Sequence, residues 1–167
     1  MQTEEELLRS IRACYMSLYA PRAVAYRAKQ GYAGADVALA VVVLVEGWDC
    51  AGKGSLINEL ICELDPRFYS VAVFKQTPER EDRFPFLKKF FQVLPEDGKL
   101  LFVDTGWMED TVGKMLRREI TQEEYQRRVE STRVFERQLR DNGYVVIKLF
   151  LHISEAEQTA RLEGLCA

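Results

Sequence analysis

The sequence is poor in several things, and each shortage removes a class of protein. It has a single histidine, His152, so a histidine-based metal cluster cannot form, and we read that residue as structural. Its four cysteines, Cys14, Cys50, Cys62 and Cys166, lack metal-type spacing and read as reduced thiols of a cytoplasmic protein rather than a disulfide framework. No apolar run approaches the roughly 20 residues of a membrane span, so no membrane partner is expected. The first ten residues, MQTEEELLRS, are acidic and polar, which argues against a signal peptide. Net charge is −3, so no global basic field invites nucleic acid, and any polyanion must be held by local clusters. Internal repeats and low-complexity linkers are missing too. What remains, at 167 residues and 47% hydrophobic, is one domain with a sizeable core.

That core is organised around Val41–Ser55, VVVLVEGWDCAGKGS. Val41 to Glu46 is apolar but for its last residue and predicts a buried parallel strand. Gly47, Gly52 and Gly54 then form a turn that bare backbone can line, with Lys53 as its fixed cation and Ser55 just beyond. Helical spacing over Leu56–Leu64 follows. A Gly-rich turn between a strand and a helix N-terminus cradles phosphate, because amides and helix dipole face the anion and the lysine reaches its oxygens. Gly47-x-x-x-x-Gly52-Lys53 has P-loop spacing, although Gly54 replaces the usual Ser/Thr. Asp49 inside the loop is unusual and suits holding a cation.

Upstream, Thr3 and Glu6 have capping-box spacing, and Leu7, Ile11, Tyr15 and Leu18 follow a helical repeat. Residues 1–36 therefore read as a helical extension and 37–167 as the P-loop domain. Downstream, Asp65-Pro66-Arg67 signals a turn, Ser70–Lys75 a second strand, and Gln76–Arg83 a loop at its C-terminal end, the edge where ligands bind in such sheets. Phe84–Leu94 predicts a helix with its aromatic side on the core. Lys75, Arg80, Arg83, Lys88 and Lys89 flank the ligand edge and are candidate phosphate contacts. Lys99–Asp104 predicts a third strand ending in an acid. An aspartate there serves as a helix N-cap or, beside a P-loop, as a Mg²⁺ ligand; we favour the metal role. A second capping box at Thr121–Glu124 opens a helix to about Asp141, closed by Asn142-Gly143. Its arginines, Arg127, Arg128, Arg133, Arg137 and Arg140, read mostly as a solvated face. Tyr144–Leu151 is a fourth strand, and Ser154 and Glu157 open a last helix that carries Arg161. The alternation implies a P-loop kinase-type α/β domain of three layers, a mainly parallel sheet flanked by helices.

The segments EGWDCAGKGS, LDPRFYSV, RFPFLKKFF, LLFVDTGWM, FERQLRDNGYVVIKLFLHIS and EQTARL together resemble the polyphosphate kinase 2 family, especially its polyphosphate:AMP phosphotransferase branch. The resemblance implies Mg²⁺-dependent phosphoryl transfer between polyphosphate and AMP or ADP. It maps the family's catalytic and metal-binding residues onto Asp49, Lys53 and Asp104. Two departures matter. The family follows its strand-end Asp with Arg-Ser-Trp-Tyr, where this chain has Thr105, Gly106, Trp107 and Met108. The family also continues into a lid, and this chain ends at Ala167. The expectation is therefore a site that binds but turns over weakly or not at all. A degenerate binding domain and an ATP-dependent nucleoside or nucleotide kinase are the alternatives, and a homo-oligomer or tandem partner domain is left open.

Overall fold

The computed structural model describes residues 40–62, 64–74 and 85–166. The helix expected from Thr3, the whole 1–36 extension, and Lys75, Arg80 and Arg83 lie outside them. Four strands form one parallel sheet: β1 (Val41–Gly47), β2 (Tyr69–Val73), β3 (Leu100–Asp104) and β4 (Val145–Leu151), in the order β2-β3-β1-β4. Among the described residues the helices are α1 (Lys53–Ile61), α2 (Lys88–Phe91), α3 (Trp107–Leu116), α4 (Gln122–Asp141) and α5 (Glu155–Cys166). Among the described residues, no helix is long and apolar enough to cross a membrane.

β1 is buried along its whole length because it is flanked by β3 and β4 and covered on both faces. Its alternate side chains feed two cores. Val42 and Leu44 join Leu101, Val103, Phe90, Trp107, Phe135 and Leu139 on one face. Val41, Val43 and Val45 join Leu100, Phe102, Leu56, Ile57 and Leu60 on the other. Trp107, Phe90 and Phe135 meet edge to face, with Trp107 5.5 Å from Phe90 and 5.1 Å from Phe135 between ring centroids.

The expected strands appear with ends shifted by a residue or two. Three helices differ from expectation. The helix after the loop runs over Lys53–Ile61 rather than Leu56–Leu64, beginning directly after Gly52. The segment around Lys88 is helical only over Lys88–Phe91, between Pro85 and Pro95, which restrict the residues before them and lack an N–H. Its aromatic side is core at Phe90, whereas Phe91 is half exposed. The helix α3 was foreshadowed only by the N-cap alternative for Asp104: it starts at Trp107 after Gly106, which offers no side-chain cap. Where the caps are polar side chains, the reading holds. Thr121 Oγ1 accepts from Glu124 N at 3.2 Å, and Ser154 Oγ accepts from Glu157 N at 3.2 Å. Glu124's own carboxylate pairs with Arg127 and Arg128. Asp65 Oδ1 accepts from Arg67 N at 3.0 Å, closing the expected turn.

Candidate active site

The loop from Gly47 to Gly52 leaves the C-terminal tip of the central strand and runs into α1. Gly47 has φ +149°, and a Cβ there would sit 2.3 Å from Leu151 O on β4, so only glycine fits. Cys50 (φ 61°) and Gly52 (φ 91°) take the left-handed conformation that turns the chain into the helix. Gly52 caps α1 without a side-chain hydrogen bond, and no acid lies in that helix's first turn. The first amides of α1 are thus left for an outside acceptor. A Cβ on Gly54 would touch nothing within 4 Å, so space is open above that turn.

Lys53 points back over the loop. Its ammonium donates to Gly47 O at 2.9 Å and to Glu109 Oε1 at 2.7 Å. The other carboxylate oxygen of Glu109 accepts from Gly47 N at 3.2 Å. Glu109 is held in turn by Glu46, the one acid of β1. Glu46 Oε1 accepts from the amides of Met108 and Glu109 at 3.1 and 3.2 Å, capping α3 from a neighbouring strand. Burial raises the Glu46 carboxyl above the ordinary 4.5; the two amides oppose the rise, the Glu109 charge adds to it and Lys148 opposes it.

Asp104 pairs in register with Val45, so it lies at the same sheet edge as the loop, half-buried at the tip of β3. It does not cap α3: the cap is Gly106, and the first-turn amides go to Glu46. That removes the N-cap alternative for Asp104. Thr105 follows with φ 69°. Asp49 is exposed in the loop; its backbone oxygen accepts from Gln158 Nε2 at 3.0 Å. Cys50 O accepts from Arg161 Nη1 at 3.1 Å, so α5 grips the loop twice. Among the described residues, no three His, Cys, Asp or Glu side chains gather as a metal cage. Two carboxylates at one sheet edge still suit Mg²⁺, a hard ion that is commonly bound through one or two carboxylates, water and substrate phosphates.

Of the lysines expected near phosphate, Lys89 pairs with Asp110 at 3.0 Å and lies over the rings of Phe74 and Phe90. Asp110 also faces Arg128 at 3.7 Å, an ion pair beyond hydrogen-bond length. Arg128 is therefore the exception in a helix whose Arg127 and Arg133 are solvated, being only 12% exposed. Lys88, beside it on α2, is half-buried. His152, exposed, packs edge-on to Trp48 at 6.2 Å.

Sequence reasoning singled out the loop and Asp104 but passed over Glu46 and Glu109. A lone acid closing a buried strand was the available sign for Glu46. Glu109 left none, since its partner Lys53 is 56 residues away.

The profile of the polyphosphate kinase 2 family matches residues 24–165. The polyphosphate:AMP phosphotransferase of Pseudomonas syringae is 31% identical over 124 residues, covering 74% of this chain and 25% of that protein. The AMP/ADP-polyphosphate phosphotransferase of Meiothermus ruber is 32% identical over 123 residues, covering 74% of this chain and 46% of that protein. The chain thus spans between a quarter and about half the length of these curated relatives. The crystal structure of polyphosphate kinase 2 from Arthrobacter aurescens superposes with a TM-score of 0.77 at 23% identity, over 98% of this chain and 56% of that one. The matched profile, the parallel sheet and the loop at its centre agree, and the chain belongs to the polyphosphate kinase 2 family.

Proposed function

We propose that residues 37–167 form a phosphoryl-transfer domain acting between inorganic polyphosphate and AMP or ADP, with weak turnover in this chain. The observation that supports this is the loop itself: Lys53 reaches back to Gly47 O at the tip of the central strand, α1 begins without a side-chain cap, and Asp104 pairs in register with Val45 of that strand. Phosphoryl transfer asks for positioning and charge neutralisation more than covalent chemistry. Gly47, Gly52, Gly54 and Ser55 would supply backbone or hydroxyl contacts to phosphate oxygens, and Lys53 the fixed charge. Asp49 and Asp104 would hold Mg²⁺, which when bound neutralises charge on the phosphate oxygens. Lys75, Arg80, Arg83, Lys88 and Lys89 are proposed as the track along which the polyanion lies. The free thiols of Cys50 and Cys62 suit a cytoplasmic setting. Weak turnover follows from Thr105: it replaces an arginine, and a missing cationic clamp on the transferring group costs about 10³-fold or more in rate.

The test is a turnover assay with polyphosphate plus AMP or ADP, set against ATP plus nucleosides, each with and without Mg²⁺. Slow, Mg²⁺-dependent ADP or ATP formation from polyphosphate, lost in Lys53→Ala, is expected. Phosphorylation of nucleosides by ATP with polyphosphate inert would overturn the reading in favour of an ordinary nucleoside kinase. Binding without any turnover would favour the degenerate domain, for which Thr105 is the specific observation.

A further inference from the structure

A phosphate loop attracts its ligand with two things, a fixed lysine and a set of N–H groups. In this chain one side chain already engages some of each. Glu109 Oε1 takes the Lys53 ammonium at 2.7 Å, and Glu109 Oε2 takes the Gly47 N–H at 3.2 Å. The two partners are only 12% and 23% exposed, so water screens the pair weakly. The position is also braced from behind. Glu46 fixes the backbone of Glu109 through its amide, and a Cβ on Gly106 would lie 2.3 Å from Glu46 Oε1, so the absence of a side chain at Gly106 lets that brace close. A carboxylate so held is a planar anion with both oxygens spent on groups that a P-loop offers to phosphate.

We propose that Glu109 is an internal anion that occupies part of the phosphate cradle and sets its affinity: an incoming phosphate must take Lys53 from it. The inference rests on the reading of the loop as a phosphate site. It adds a specificity-determining residue that the P-loop pattern does not contain. Two anions competing for one ammonium in a half-buried site repel each other, so removing the charge of Glu109 should strengthen phosphate binding. If Glu109 instead served only to aim Lys53 at the ligand, removing it would weaken binding.

The experiment is calorimetric titration of the full 167-residue chain with tripolyphosphate, without divalent metal, for the native protein, Glu109→Gln, Glu109→Asn and Glu109→Gln combined with Lys53→Ala. Loss of the charge in Glu109→Gln is expected to lower Kd by about tenfold or more, and the added Lys53→Ala to abolish that gain. If the native chain binds and the folded single variants bind equally or more weakly, the internal-anion role is wrong while the phosphate site survives. A gain that persists without Lys53 overturns the role as well. If folded native and variant chains all fail to bind, the phosphate reading falls and this inference falls with it. The native chain gives an answer that needs no variant to fold. The ¹³C resonance of the Glu109 carboxylate should move as tripolyphosphate saturates the loop, and a resonance that stays fixed while ligand binds overturns displacement.

Discussion

Two residues at the end of β1 show how tightly the loop is built. Gly47 faces Leu151 O, and the 2.3 Å approach of any Cβ is to backbone, which cannot swing away. Gly47→Ala should therefore lose about 2–4 kcal/mol of stability by urea unfolding, through strain and overpacking together. A loss below about 0.5 kcal/mol, within the range of an ordinary surface change, would show that β4 yields there. Glu46 makes a prediction about pH. Its raised carboxyl means that the folded state holds this proton more tightly than the unfolded chain does. The resulting stabilisation is complete below the ordinary 4.5 and is lost as pH rises through the folded value. Glu46→Gln keeps an oxygen for the amides of Met108 and Glu109 but removes the titration. The stability of native relative to variant should then fall as pH climbs from 4.5 towards neutrality; a gap that is flat with pH would refute the assignment.

Among the elements, α5 has the clearest mechanical role. Gln158 and Arg161 bind consecutive loop carbonyls, those of Asp49 and Cys50, so one face of the helix fixes the bend that carries the left-handed Cys50. Gln158→Ala combined with Arg161→Ala should cost only about 1–2 kcal/mol, because these bonds are solvent-exposed. Amide exchange at residues 48–52 should nonetheless rise by about threefold to tenfold. Unchanged exchange would mean the loop holds its own shape. The contrast between α4 and α3 explains what was legible in advance. Thr121 is a polar cap beside its own helix, so the start of α4 could be read locally. The cap of α3 comes from Glu46, 62 residues earlier, and Gly106 itself gives no sign of it. The site divides in the same way: Lys53 and Asp104 follow from strand, loop and spacing, while Glu109 follows only from the folded contact.

For the whole molecule, the parallel sheet was readable because β1 and β3 are apolar runs, the signature of strands covered on both faces. Their order needed the fold, since it depends on which crossover lies on which face. Phe135 ties that fold together from α4, packing on Trp107 at 1% exposure in the core that Val42 and Leu44 enter from β1. Phe135→Ala should cost about 3–5 kcal/mol in global unfolding, read by denaturant titration, because the cavity opens among residues of several elements. A small cost would show that the core relaxes around the loss. The placement of the chain's two tryptophans makes such measurements easy to interpret. Trp107 is sealed in that core, whereas Trp48 sits in the loop between β1 and α1, 44% exposed and edge-on to Phe150. Their fluorescence therefore forms a built-in ratiometric pair. The blue emission of the sheltered indole reports whether the fold is intact, and the red emission of the wet one reports what the loop is doing.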